Sequence, residues 1–120
     1  MARLERAFME IEKVVDPHKA VDFLFEHANA YAAAKALRIY TEEFRKSKKA
    51  ILMKESLETA IGAQEREAYA HPEYVELLKD LQKHVTEEET LRWKLTAAQA
   101  RIEIYRTQQA NLRAEGKATI

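Results

Sequence analysis

The sequence predicts an all-α fold: a short N-terminal helix followed by a long antiparallel helical hairpin of coiled-coil character. Gly and Pro together number four in 120 residues, whereas Ala alone numbers 20. Helix breakers are therefore scarce and the best helix former is abundant. Gly, Asn, Asp and Pro, which β-turns require, are all few. Apolar residues also recur at steps of 3 and 4 over long stretches. The chain length suits one helical domain over residues 1–120.

The first helix is expected over residues 2–15. Leu4, Phe8, Ile11 and Val15 repeat at steps of 4, 3 and 4 and make one apolar stripe. Asp16-Pro17 then reads as a stop and a restart. An aspartate accepts the free N–H groups of a helix start, and Pro suits the first helical position because its missing N–H is not needed there. A second helix follows over 17–54. Val21, Leu24, Phe25, Ala28, Tyr31, Ala32, Leu37, Tyr40, Phe44 and Ile51 give it a broad apolar face. Residues 56–71 are expected to be the connection, with a short helical turn near 64–69. His71-Pro72 marks the next start.

The third helix is expected over 72–114, ending before Gly116 as its C′ residue. Its 43 residues would span about 65 Å. Its stripe reads Tyr74, Leu78, Leu81 and Val85, then Leu91, Leu95, Ala98, Ile102, Tyr105, Gln109 and Leu112. That is a heptad-like pattern with one short step between Val85 and Leu91, where Glu88 occupies an apolar place. Thr86 with Glu89 matches a capping box, so a kink near residue 86 is an alternative to one continuous helix.

Charge falls in blocks that sum to zero: −2 over 1–34, +5 over 35–54, −7 over 55–89 and +4 over 90–120. A hairpin centred near residue 63 sets 38–54 beside 72–88, so the basic and acidic blocks face each other. Arg45 to Lys49 then have Glu73, Glu76 and Asp80 as partners. Two helices make a thin core, and dimerisation through the remaining apolar surface is the expected completion.

Composition narrows the chemistry. Zero Cys removes disulfide scaffolds and thiolate metal sites. Di-iron bundles need Glu three residues before His. Val15, Leu24, Ala68 and Leu81 hold those places before the four histidines. No Gly-x-Ser-x-Gly elbow and no Gly-rich phosphate loop occur. The sequence therefore predicts a non-enzyme with no catalytic residue, metal or cofactor. The N-terminus lacks the apolar stretch of a secretory signal, and no run approaches the roughly 20 apolar residues of a membrane span. A cytoplasmic location without membrane contact is the expectation.

Two sets of residues are candidates for binding. Arg38, Arg45, Lys46, Lys48 and Lys49, with Tyr40 and Phe44 between, and Arg101, Arg106 and Arg113 form basic stretches suited to nucleic-acid phosphates. Zero net charge argues against a dedicated nucleic-acid binder. Trp93, Leu95, Ile102 and Tyr105 are candidates for an interface with a second copy or with another protein.

Residues 30–56, 63–75 and 88–113 resemble a family of small coiled-coil proteins encoded by tailed bacteriophages. The most telling parts are Arg66-Glu67-Ala68-Tyr69, Leu91-Arg92-Trp93 and Arg106-Thr107-Gln108-Gln109-Ala110. Such genes often lie near phage recombination and replication genes. The resemblance implies an accessory role in phage DNA metabolism, in the cytoplasm of the host cell, and supplies no site residues. The leading expectation is a non-enzymatic protein that binds proteins of DNA recombination or replication. Direct DNA binding through the basic faces is the alternative, and a structural or assembly role in the virion is a third.

Overall fold

A computed structural model describes residues 16–118. The helix expected over residues 2–15 lies outside the described residues. Three helices follow in order: α1, Pro17–Glu55; α2, Ile61–Ala70; and α3, Pro72–Ala118. No strand occurs among the described residues. Contacts divide the chain into two compact units, residues 29–92 and residues 1–28 with 93–120.

The start of α1 is capped as its sequence predicts. Asp16 Oδ1 accepts the N–H of His18 at 2.9 Å and that of Lys19 at 3.3 Å. Pro17 occupies the first helical position, where a missing N–H costs nothing.

The connection differs from expectation, because residues 61–70 form a full helix rather than a loop with one turn. Only residues 56–60 and His71 remain outside helices there. Ser56 Oγ accepts the Glu58 N–H at 3.1 Å, and Gln64 Nε2 donates to the Glu58 carbonyl at 2.8 Å. These bonds fold the residues before α2 into a tight bend. His71 serves two helices. Its N–H donates to the Ala68 carbonyl, closing α2. Its Nδ1 accepts the Glu73 N–H at 3.0 Å and caps α3. Pro72 forces this economy, since it drives the residue before it into extended backbone.

α3 is one unbroken helix of 47 residues. The helix is not interrupted near residue 86. Thr86 Oγ1 donates to the Gln82 carbonyl at 2.8 Å, as a mid-helix threonine does, and does not cap Glu89. The helix also passes the expected end at 114 and continues through Gly116. A helical Gly costs about 1 kcal/mol relative to Ala and does not by itself end a helix. No residue in the described chain has a positive φ, so Gly116 does not act as a left-handed stop.

The buried faces correct the expected stripes. On α3 the inward residues are Tyr74, Leu77, Leu81, His84, Glu88, Leu91, Leu95, Ala98, Ile102 and Tyr105. Their steps alternate 3 and 4 without interruption. The apparent short step arose from choosing Leu78 and Val85, which are exposed, over Leu77 and His84. On α1 the inward residues are Ala20, Leu24, His27, Tyr31, Ala34, Arg38, Thr41, Arg45, Lys48 and Leu52. Of the apolar face expected for this helix, Val21, Phe25, Leu37, Tyr40 and Ile51 stand outward.

In the unit of residues 29–92, α1 and α3 run antiparallel. Arg38 meets Glu88, and Lys48 meets Glu73 at 2.7 Å. The midpoint of residues 38 and 88 is 63, as the charge blocks predict. The apolar core of this unit is small and lies at the α2 end. Leu52, Ala68 and Tyr74 are buried together, with Met53 packed against them. Ala68 is only 1% exposed. A methyl group at that position lets the backbone of α2 approach its neighbours closely.

Candidate functional site

The basic block of α1 is largely engaged within the molecule. Arg38 makes a two-pronged bond to Glu88, with Nε–Oε2 at 2.5 Å and Nη2–Oε1 at 2.9 Å, and a third bond to Glu42 at 3.1 Å. The planar guanidinium fork matches a carboxylate in this way, whereas an ammonium does not. Glu88 is 6% exposed. Its hydrogen bond to Arg38 holds its carboxyl below the usual range, against the opposing effect of burial. The same bond raises Arg38. No buried side-chain N or O among the described residues lacks a partner, so this polar step in the seam is fully satisfied.

Further along α1, Lys48 pairs with Glu73 and lowers its carboxyl. Lys49 pairs with Glu65 of α2 at 2.5 Å and lies 4.8 Å from the centre of the Tyr69 ring. The bond to Glu65, and then Tyr69, push the Lys49 ammonium upward. Lys46 pairs with Glu43 on its own helix at 3.2 Å. Arg45 Nε donates to the Glu42 carbonyl at 3.3 Å. Arg45, Lys46, Lys49, Met53, Tyr69 and Tyr74 line an open groove of about 520 Å³. Tyr69 meets Tyr74 edge to face, their centres 5.3 Å apart. The groove joins cations and aromatic rings, but carboxylates already take Lys46 and Lys49.

The C-terminal candidates sit on the part of α3 within the unit of residues 1–28 and 93–120. Arg106 pairs with Glu103 at 3.4 Å and stays largely exposed, and Arg101 and Arg113 are exposed. Arg106 and Arg113 line one groove of about 370 Å³ with Ile102, Tyr105 and Gln109. Tyr105 and Leu112 line the adjoining one, also of about 370 Å³, with Gln108, Gln109, Asn111 and Glu115. Leu95, Ile102 and Tyr105 take half-buried inward positions, while Trp93 is 60% exposed.

One surface was missed by sequence reasoning. Ala30, Ala33, Leu37, Tyr40, Phe44, Ser47 and Ile51 lie at steps of 3, 4, 3, 4, 3 and 4 along α1. They form a second uncharged stripe beside the inward one. Phe44 is half-buried and the other six are exposed. Tyr40 and Phe44 stack with centres 5.9 Å apart and planes 12° apart. The spacing was visible in the sequence, where it was merged with the inward face.

No group of three His, Cys, Asp or Glu side chains among the described residues is placed to hold a metal ion. No helix among them is long and apolar enough to cross a membrane. Compared with known protein families, with characterised proteins and with solved structures, the chain matches none.

Proposed function

We propose that the chain is a non-enzymatic accessory protein of a tailed bacteriophage, acting in the host cytoplasm by binding proteins of viral DNA recombination or replication. The observation that carries this reading is the C-terminal run of α3. The seam spacing continues there as Ile102, Tyr105, Gln109 and Leu112, yet Leu112 is 58% exposed. A coiled-coil stripe that outlasts its covering among the described residues is a surface on which another helix docks. The family resemblance supplies the class of partner.

The test is a pull-down from infected cells with the tagged chain and with a Tyr105→Ser, Leu112→Ser variant. Recovery of a recombination or replication protein by the first and not the second is expected. Recovery of no such protein by the unaltered chain refutes the reading.

A second reading is direct DNA binding, and one feature favours it. Arg106 and Arg113 line the same groove as Tyr105 and Gln109, so two cations and a flat ring share one face. Phosphate contacts make affinity fall steeply with salt. Fluorescence anisotropy of labelled single- and double-stranded DNA at several salt concentrations measures this. Neutralising Arg101, Arg106 and Arg113 together should weaken binding and flatten the salt dependence. Unchanged affinity refutes that assignment.

A further inference from the structure

We propose that the groove beside the α1–α3 seam at its α2 end takes an acidic segment of a partner protein, with one Asp or Glu carboxylate on Arg45 and a neighbouring apolar side chain against Met53 and Tyr74. The site lies within the unit of residues 29–92 and does not use the C-terminal docking run of α3 described above. The two readings stand or fall separately.

Charge is sorted between two grooves along this seam. Among the described residues, the groove of about 520 Å³ is lined by Arg45, Lys46 and Lys49 and by no carboxylate. Its neighbour, of about 240 Å³, sets Glu73, Glu76 and Asp80 against Lys48 alone. Within the first groove the three cations differ. Lys49 is committed to Glu65 at 2.5 Å and to the Tyr69 ring. Lys46 holds only Glu43, in a pair whose side chains are both largely exposed, and such a pair is weak. Arg45 meets no carboxylate among the described residues; its Nε donates to the Glu42 carbonyl of its own helix. Arg45 takes an inward position and is half-buried. It has given up part of its hydration without gaining a counter-charge, and an incoming carboxylate supplies one in the two-pronged geometry that a guanidinium favours.

The remaining wall selects what carries that carboxylate. Ala50, Met53 and the Tyr69 and Tyr74 rings flank the cations, and a thioether adapts to varied apolar shapes. The groove is open, so it does not enclose a small molecule as ligand pockets do. A side chain standing out from a protein surface fits it. A nucleic-acid strand needs cations repeated along its phosphates, whereas Lys48 and Lys49 are taken by Glu73 and Glu65.

The test is an NMR titration of the isotope-labelled chain with acetyl-Leu-Glu-Leu-amide, its Gln counterpart, acetate and a short oligothymidylate. The Glu peptide should shift the Arg45 Nε–H and Met53 methyl resonances saturably, with affinity about tenfold or more above the Gln peptide and above acetate. Arg45→Gln should lose that preference with circular dichroism unchanged, and Arg106→Gln, in the other unit, should keep it. The comparison of the two peptides needs no variant. Equal affinities for them overturn the inference. So does an Arg45→Gln chain that keeps the preference, acetate that binds as tightly as the Glu peptide, or oligothymidylate that binds at Arg45 more tightly than the Glu peptide.

Discussion

Leu52→Ala removes the only long aliphatic side chain in the buried cluster of Leu52, Ala68 and Tyr74. Leu52 is 4% exposed, so almost the whole side chain leaves contact with protein rather than water. Buried Leu→Ala changes cost about 2–5 kcal/mol, depending on how far the surroundings collapse. This cluster has three members and the partly buried Met53 at its edge, and the flexible thioether of Met53 can move into the space. The lower part of the range applies, about 2–3 kcal/mol. For a chain of this size that is a fall in Tm of roughly 6–15 °C. Leu57 supplies an internal control, because it is 98% exposed in the bend before α2. Leu57→Ala should change stability by less than about 0.5 kcal/mol. Urea unfolding of both variants, followed by circular dichroism at fixed protein concentration, measures the two values. Equal losses from the two variants would refute the assignment of the core to the α2 end.

Other perturbations have equally definite outcomes. Gly62 lies in α2 with no positive φ, and a methyl group there meets nothing within 4 Å; Gly62→Ala should stabilise by about 0.4–1 kcal/mol, and a loss in thermal unfolding would show hidden crowding. Asp16→Ala should cost about 1 kcal/mol through the lost cap of α1, whereas Asp16→Asn should retain most of it; equal losses would remove the capping role. Glu88 releases its proton below the usual carboxylate range because of Arg38, so the pair contributes fully above the ordinary value and is lost as pH falls through the lowered one. Glu88→Gln should therefore lower Tm near neutral pH, with the difference from the unaltered chain shrinking as pH falls below the ordinary carboxylate range. A difference that stays constant over that range would refute the charge pairing.

The sequence revealed the helical class, the starts at Asp16-Pro17 and His71-Pro72, and the antiparallel register near residue 63, because each has a local or global chemical signature. Prolines fix starts, and opposite charge blocks fix facing segments. The inward faces were harder to read. On α1 the inward positions include Arg38, Thr41, Arg45 and Lys48, while Leu37, Tyr40 and Ile51 point outward. A reading that sends every large apolar residue inward must therefore mistake the face. Leu77-Leu78 posed the same problem on α3, where two adjacent leucines compete for one inward place. Only the place of Glu88 opposite Arg38 resolves it, and that contact spans 50 residues. The α2 helix escaped detection because Ala60 offers no capping side chain and Gly62 sits in the first turn. Among the candidate nucleic-acid residues, charge alone did not separate Arg38, Lys48 and Lys49, which have partners across the fold, from the exposed Arg101 and Arg113.

A polar seam, whose charges pair α1 with α3 in one register, holds the unit of residues 29–92. Exchanging the charges of Arg38 and Glu88 tests this most directly. Thermal unfolding is compared for Arg38→Glu, Glu88→Arg and the double exchange. Each single variant should melt well below the unaltered chain, because two like charges then share a nearly buried site, and the double exchange should regain part of the loss, the remainder reflecting the new glutamate at 38 beside Glu42 and the new arginine at 88 beside Lys35 and Arg92. Single variants that melt like the unaltered chain, or a double variant whose loss equals the sum of the two, would contradict the account.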